Sequence, residues 1–253
     1  MTATRITAEN KDHLRHLLTG KEIAIFAATM DPPTIGHDDI LTQIGALTTD
    51  DNQHVYDYSY IHTTENSPTG HYKSDTSPYP IRHAMTNAAF GGKPRILLSD
   101  LHPLDTVSWL MQIPHLHVTH VLGADSLEWL QTVSDHGEVV FFTGHSADGL
   151  KKSHPTATVT EPKTGEKTLF SGRGIYELET REILITQREE WPIPEHFLGI
   201  PTQKCIIPAN ADHGRSVSST TIRALVKAGK LDAAKVLVAK GLRDTFDGYA
   251  WRY

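Results

Sequence analysis

The chain has 253 residues, with 24 Lys and Arg against 30 Asp and Glu, and a formal net charge of -6 at pH 7. This length can bury a substantial core, and the acidic balance argues against nucleic-acid binding by bulk electrostatics. The sequence has no apolar run of membrane-spanning length, no signal-peptide core and a single cysteine, so we expect a cytoplasmic protein with no membrane contact and no internal disulfide.

Strand-like and helix-like segments alternate through the first part of the chain. The predicted strands are residues 22–29, 54–63, 95–99, 117–122 and 138–143. The predicted helices between them are residues 36–47, 80–90, 105–112 and 126–132. This alternation is typical of βαβ units, and it predicts an α/β, Rossmann-like doubly wound parallel sheet of about five strands in the order 3-2-1-4-5.

The alternation stops at residues 144–191, which are rich in Gly, Pro, Ser and charged residues. We interpret this stretch as a β-rich, hairpin-bearing insertion in a single domain of residues 1–253. It is either a lid or oligomer contact, or a surface excursion without a role. C-terminal helices are predicted at residues 221–228 and 231–241, and the aromatic residues of 249–253 are expected to pack back on the body.

A turn with phosphate-binding character follows the first predicted strand. Residues 29–37 read TMDPPTIGH, which places a hydroxyl, a glycine and an imidazole beside the free N–H groups of a helix start. The glycine lets an anion approach the backbone, and Thr34 and His37 project to the same side of the first helical turn. A βα turn with a Thr cap and a surface histidine is the alternative.

A second candidate anion site lies in the later part of the sequence. Residues 215–223 read RSVSSTTIR. Hydroxyls at a helix start, followed one turn later by Arg223, can cradle an anion, whereas a helix cap alone needs only one of the hydroxyls. Capping alone is again the alternative.

Other motifs are weaker or missing. Gly123, Ala124 and Asp125 follow the fourth predicted strand, where a carboxylate can accept hydrogen bonds from a ribose or simply cap a helix. The sequence contains no zinc-ligand spacing, no glycine-rich phosphate loop and no nucleophile elbow. We therefore expect no protein-held transition metal.

Together, these motifs resemble the nucleotidyltransferase superfamily marked by (His/Thr)-x-Gly-His and a distal Ser-Ser-Thr-x-Ile-Arg. Within it, the chain looks most like the nicotinate- or nicotinamide-mononucleotide adenylyltransferases, over residues 21–145 and 203–230. Further matching segments are RHAM at 82–85, LSDL at 98–101, DTV at 105–107 and VLGADSL at 121–127. The resemblance implies ATP-dependent adenylyl transfer to a pyridine mononucleotide, forming the dinucleotide and pyrophosphate in NAD biosynthesis. Another acceptor such as phosphopantetheine, or a nucleotide-binding relative without catalysis, are the alternatives.

The resemblance also implies roles for single residues. Thr34, His37 and Arg223 would be catalytic, with a cationic imidazole acting on the α-phosphate and Arg223 on the departing phosphates. The implied ATP-binding residues are Thr29, Gly36, Gly123, Asp125, Ser218, Ser219 and Thr220. The implied acceptor-binding residues are Arg82, Thr106 and Trp129. No catalytic base is needed, because the acceptor phosphate has a second pKa of about 6, and Mg²⁺ would be held mainly by the ATP phosphates.

The chain departs from the family pattern beside the first motif. Ala27, Ala28 and Met30 stand where the family has Gly, Gly and Phe, so extra methyl groups would crowd the backbone nearest to the ligand. Thr34 replaces the commonest His, and Trp129 is shifted from the family's tryptophan position. The identity of the acceptor, the retention of catalysis and the formation of a homo-oligomer stay open.

Overall fold

The computed structural model describes residues 3–64, 76–124, 127, 157–160, 167–170, 175, 178, 180–186, 193–197, 200–205 and 217–253. Its strands are β1 (Thr4–Ile6), β2 (Glu22–Ala28), β3 (Tyr58–Thr63), β4 (Ile96–Ser99), β5 (His117–Gly123), β6 (Ala157–Thr160), β7 (Lys167–Phe170), β8 (Thr180–Thr186), β9 (His196–Phe197) and β10 (Ile200–Cys205). Its α-helices are α1 (Lys11–Leu18), α2 (Ile35–Ala46), α3 (Tyr79–Phe90), α4 (Pro103–Leu110), α5 (Ser219–Lys227), α6 (Leu231–Lys235) and α7 (Asp247–Ala250).

Eight of these strands form one sheet in the order β1-β4-β3-β2-β5-β8-β10-β9. All neighbouring strands in it run parallel except β9, which pairs antiparallel with β10. Strands β6 and β7 form a separate antiparallel pair within the segment predicted to carry a hairpin. The predicted α/β class with a mostly parallel sheet is confirmed, and the sheet has more strands than expected.

The predicted strand order needs one correction. The first four predicted strands correspond to β2, β3, β4 and β5, and these four occupy the predicted positions in the sheet. The place beside β5 belongs to β8 and not to residues 138–143, which lie outside the described residues. Consecutive strands usually neighbour each other, and this chain breaks that tendency. Strand β8 of this sheet lies within residues 144–191, the stretch interpreted as an insertion.

Helix boundaries differ from the predictions at specific places. Helices α2, α3, α4 and α5 lie within two residues of their predicted boundaries. The helix predicted at 231–241 instead ends at Lys235, and a 3₁₀ turn (Lys240–Leu242) follows. The reason is an interaction between chain segments: the Ile35 N–H donates to the Leu237 carbonyl at 3.0 Å, and the Ala239 N–H donates to the Pro33 carbonyl at 3.0 Å. The strand predicted to start at residue 54 starts at Tyr58. Helix α1 and strand β1 were not predicted. The helix predicted at 126–132 lies outside the described residues except for Leu127.

The sheet has an apolar core on each face. Strand β2 contributes Ile23 and Ile25 to the core under α1 and α4, and Ala24 and Phe26 to the core under α2 and α3. Burial on both faces explains why β2 reads as a continuous apolar run. Its carboxyl end therefore lies at the middle of the sheet edge, where doubly wound folds bind ligands. None of the helices in the described ranges is long and apolar enough to cross a membrane.

Candidate active site

The Thr-x-Gly-His turn follows β2 and begins α2 with a reciprocal cap. The Thr34 hydroxyl accepts a hydrogen bond from the His37 backbone N–H at 3.3 Å, and the Thr34 backbone N–H donates to His37 Nδ1 at 2.9 Å. The half-buried His37 ring also packs against Phe26, with ring centroids 5.6 Å apart. This capping box fixes both side chains at the helix start.

The cap decides the protonation pattern of His37. A backbone N–H that donates to Nδ1 requires a lone pair on that nitrogen, so the ring is neutral and its proton lies on Nε2. In this cap Nε2 is the ring nitrogen that can donate a hydrogen bond, whereas the resemblance implied a cationic imidazole.

The second motif lies against the first. Ser218 caps α5 by accepting a hydrogen bond from the Thr221 N–H at 3.1 Å, and the Ser219 hydroxyl donates to the Pro32 carbonyl at 2.9 Å. A Cβ placed on Gly36 would lie 3.9 Å from the Val217 carbonyl oxygen. Two helix N-termini, each with a hydroxyl cap, thus meet at the carboxyl end of β2, which brings together two motifs far apart in sequence. We call these two helix starts the cradle.

Arg223 links α5 to the turn through Asp31. The Arg223 side chain is 7% exposed, and its NH1 group donates to the Asp31 backbone carbonyl while NH2 donates to the Thr220 hydroxyl at 3.3 Å. NH1 also lies 3.7 Å from Asp31 Oδ2. Arg223 is therefore held at the cradle by the turn itself, and the exposed Thr220 lies next to its outer nitrogen.

Asp31 is the centre of a buried polar cluster that the sequence analysis did not assign to the site. Its Oδ2 accepts from the Ser77 N–H at 2.8 Å, and its Oδ1 accepts from the Tyr253 hydroxyl at 2.8 Å. The position of Asp31 inside the first motif was a usable signal for its role. The sequence offers no comparable signal for Tyr253, which lies 222 residues away.

Arg82, predicted to bind the acceptor, acts in this structure as a backbone clamp. Its guanidinium is buried and donates to the carbonyls of Thr29, Thr64 and Ser77. These contacts join the ends of β2 and β3 to the start of α3. Thr29, predicted to bind ATP, takes part through its backbone carbonyl.

The predicted acceptor residue Thr106 lies at the start of α4 and is fully buried. Its hydroxyl is 2.7 Å from the Ser99 hydroxyl at the end of β4. Ser99 in turn lines a small pocket with a free volume of about 10 Å³. The pocket also contacts Tyr60 and His62, and burial lowers the pKa of His62 to about 4. Thr106 thus supports one wall of a pocket on the same sheet edge as the cradle.

Three further predicted site residues, Gly123, Asp125 and Trp129, lie at the end of β5 or after it in the sequence. Gly123 ends β5, which is hydrogen-bonded to β2 and to β8, so it lies on the same sheet edge as the cradle. Asp125 and Trp129 lie outside the described residues, and their roles stay predictions. Within the described ranges, no group of three or more His, Cys, Asp or Glu side chains is arranged to hold a metal ion.

The departures from the family pattern also have structural explanations. Ala27 and Ala28 pack against the two cores on opposite faces of β2. Met30 has a positive φ of 56° and a side chain that is 1% exposed, so it contributes core contacts from a left-handed backbone. The three side chains therefore contribute to packing beneath the turn.

The geometry can be compared with known proteins. No protein-family model matches the sequence, and no curated protein matches it significantly. A solved structure of Plasmodium falciparum nicotinic acid mononucleotide adenylyltransferase complexed with NaAD matches with a TM-score of 0.57 at 16% identity, over 92% of this chain and 97% of that one. The same enzyme complexed with APC matches with a TM-score of 0.55 at 16% identity and the same coverage. This chain shares their fold.

Proposed function

We propose that the chain is an ATP-dependent adenylyltransferase that forms a dinucleotide from nicotinate or nicotinamide mononucleotide. The observation that carries this proposal is the contact between the Thr34–His37 turn and the start of α5 at the carboxyl end of β2. It occurs in a fold shared with the nicotinic acid mononucleotide adenylyltransferase of Plasmodium falciparum. The chain's own residues supply the donors that such a reaction needs.

The two capped helix starts would hold the triphosphate of ATP. Helix N-termini offer backbone N–H groups and a positive dipole end, and both favour phosphate. Arg223, held beside Thr220, would bind the β- and γ-phosphates. Gly36 lets these phosphates approach the backbone of α2 because no side chain covers it.

The reaction needs alignment and charge stabilisation more than proton transfer. An oxygen of the acceptor phosphate attacks the α-phosphorus, the bond to the bridging oxygen of the β-phosphate breaks, and pyrophosphate leaves with the bonding electrons. His37 would donate from Nε2 to an α-phosphate oxygen as negative charge grows there. Holding both substrates at one sheet edge supplies the rest of the rate enhancement by orientation.

We propose that Mg²⁺ enters with ATP, bound to its phosphates. Asp31, the carboxylate inside the first motif, already accepts hydrogen bonds from Ser77 and Tyr253 and faces Arg223. It is therefore a poor Mg²⁺ ligand, and the cradle offers donors for phosphate oxygens instead. When present, the ion would neutralise charge on the departing pyrophosphate.

The pocket beside Thr106 supports a pyridine mononucleotide as the acceptor. Its walls include Tyr60, His62, Tyr79 and His83, with Tyr79 and His83 stacked at a centroid distance of 5.6 Å. Aromatic and polar walls would suit a flat heteroaromatic ring better than a flexible pantetheine arm, and the pocket of about 10 Å³ would have to widen to admit the ring. This pocket lies at the carboxyl ends of β3 and β4, on the same sheet edge as the end of β2.

The test is pyrophosphate release from ATP with a panel of acceptors. We expect release with nicotinate or nicotinamide mononucleotide, and not with phosphopantetheine or without an acceptor. Release with phosphopantetheine alone would establish the other acceptor class. ATP binding without release on any acceptor would establish a nucleotide-binding protein without catalysis.

A further inference from the structure

The Asp31 carboxylate is shared among three partners in an unusual way. Ser77 and Tyr253 each donate to one of its oxygens at 2.8 Å. The Arg223 guanidinium lies 3.7 Å from Oδ2, which is longer than a hydrogen bond. Arg223 therefore interacts electrostatically with Asp31 without forming the pair of parallel hydrogen bonds that arginine and carboxylate groups prefer.

Two neutral donors compete with Arg223 for the acceptor sites of the carboxylate. Ser77 and Tyr253 each take one site, and the guanidinium donates to the Asp31 carbonyl and to Thr220. The NH2 group is thereby directed to the side of α5 that carries the exposed Thr220. Burial, together with the charge of Asp31, raises the pKa of Tyr253, so its hydroxyl stays protonated as a donor.

We propose that Tyr253 is a positioning residue that keeps Arg223 directed at the triphosphate cradle by occupying one oxygen of Asp31. Removing the Tyr253 hydroxyl leaves a buried carboxylate oxygen without its donor. Arg223, 3.7 Å from Oδ2, would then move into a two-bond pair with Asp31 and away from Thr220. The inference rests on the proposed function only in taking the cradle to bind the phosphates of ATP.

Tyr253→Phe tests this inference with a single oxygen removed and the ring retained. We expect the Kd for ATP, measured by calorimetry without an acceptor, to rise about tenfold, as for loss of a hydrogen bond to a charged group. In turnover assays KM for ATP should rise similarly, while kcat at saturating ATP stays near the wild-type value. A merely structural effect would lower the melting temperature and kcat together.

Tyr249→Phe is the matched control. Tyr249 belongs to the same segment and is half-buried, and its hydroxyl makes no hydrogen bond to the residues that the structure describes. Its loss should leave the Kd for ATP unchanged. If both variants weaken ATP binding equally, the effect belongs to the packing of the segment, and the inference is overturned.

A double-mutant cycle decides whether Tyr253 acts through Arg223. In an Arg223→Ala background, Tyr253→Phe should have no further effect on the Kd for ATP. Additive losses, or an unchanged Kd in Tyr253→Phe, would overturn the inference. Weakened ATP binding in a protein that turns over no acceptor would refute the proposed function alone. A wild-type protein that does not bind ATP would refute both.

Discussion

Gly36 has space for a side chain that the sequence does not supply. A Cβ at this position would meet the Thr34 hydroxyl at 3.4 Å and the Val217 carbonyl at 3.9 Å, both ordinary contacts. The fold by itself therefore does not require glycine here. A phosphate that approaches the start of α2 would require glycine, because a side chain would cover the backbone N–H groups that bind the phosphate.

Gly36→Ala should separate these two requirements. We expect the free energy of unfolding to stay the same or rise by up to about 1 kcal/mol, because alanine favours the helix. The Kd for ATP should rise about tenfold, as when one hydrogen bond to a charged phosphate is lost. Unfolding in urea and calorimetric ATP titration measure the two quantities.

Gly241→Ala is the control for that experiment. A Cβ there would lie 2.4 Å from the Ala89 carbonyl oxygen, so the fold itself should be destabilised. Unchanged ATP affinity in Gly36→Ala would contradict the placement of the phosphates at the start of α2.

His37 is the residue whose loss should affect the chemical step most. His37→Ala removes the proposed donor to the α-phosphate and should lower kcat by about 10²-fold, with the Kd for ATP changed much less. His37→Gln keeps a capping-box acceptor for the Thr34 N–H and an amide donor, so its kcat should fall less. Steady-state kinetics of folded variants measures this order, and unchanged turnover in His37→Ala would refute the catalytic role.

Sequence reasoning found these residues because their motifs are local. Thr34, Gly36 and His37 lie within one helical turn, so their spacing alone predicted a shared surface. The cluster around Asp31 joins residues from four distant segments, including Ser77 and Tyr253. Side-chain contacts of that range depend on the tertiary fold and leave no spacing pattern to read.

At the scale of elements, the start of α3 is tied to the ends of β2 and β3 by one side chain. Arg82 donates to three backbone carbonyls there. Arg82→Met should lower the free energy of unfolding by about 2 to 4 kcal/mol, because buried carbonyls lose charged donors. Urea unfolding measures this loss.

Arg5→Met provides the comparison for Arg82→Met. Arg5 forms an exposed ion pair with Asp100, so its loss should cost less than about 1 kcal/mol. If Arg82→Met unfolds like the wild type but has a raised KM for the acceptor, Arg82 binds substrate as the sequence first indicated.

The elements that sequence predicted well are those with strong apolar patterns and turn signals. Strand β2 and helices α2 and α3 carry both, and their predicted boundaries differ from the observed ones by one residue. Strand β1 has three residues and gains its place by pairing with β4, so propensity could not reveal it. The position of β8 depends on a long crossover from β5, which no local pattern encodes.

For the whole molecule, the two faces of the sheet enclose titratable groups. Burial lowers the pKa of His62 on β3 to about 4 and that of His120 on β5 to about 3, from a usual value of 6.5. Both histidines are therefore neutral in the folded protein near pH 7. Below pH 6.5 the unfolded chain binds protons that the folded chain does not, so stability rises with pH in this range.

The chain should consequently lose stability as the pH falls from 6.5 toward 4. We expect the free energy of unfolding to drop by about 1 to 2 kcal/mol per buried histidine between pH 7 and pH 5. His62→Gln should reduce this drop, while replacement of the exposed His54 by Gln should leave it unchanged. Urea unfolding at the two pH values measures it, and an equal drop in all three proteins would contradict the account.

The α/β class and the central order β4-β3-β2-β5 followed from the alternation of strands and helices. The strands beyond β5 could not be ordered from sequence, because their pairing is decided by packing across the whole sheet. The same argument applies to the site. Sequence predicted two anion sites in distant parts of the chain, and the fold brings them together through the contacts of Ser219 with Pro32 and of Arg223 with Asp31.

The most direct test of the central claim is the identity of the products formed from ATP and a pyridine mononucleotide. The proposed attack on the α-phosphorus predicts a dinucleotide and pyrophosphate in a one-to-one ratio, detected by mass spectrometry and a pyrophosphate assay, and strongly reduced in His37→Ala. Formation of ADP would place the attack at the γ-phosphorus. That result, or no product with any acceptor, would contradict the account.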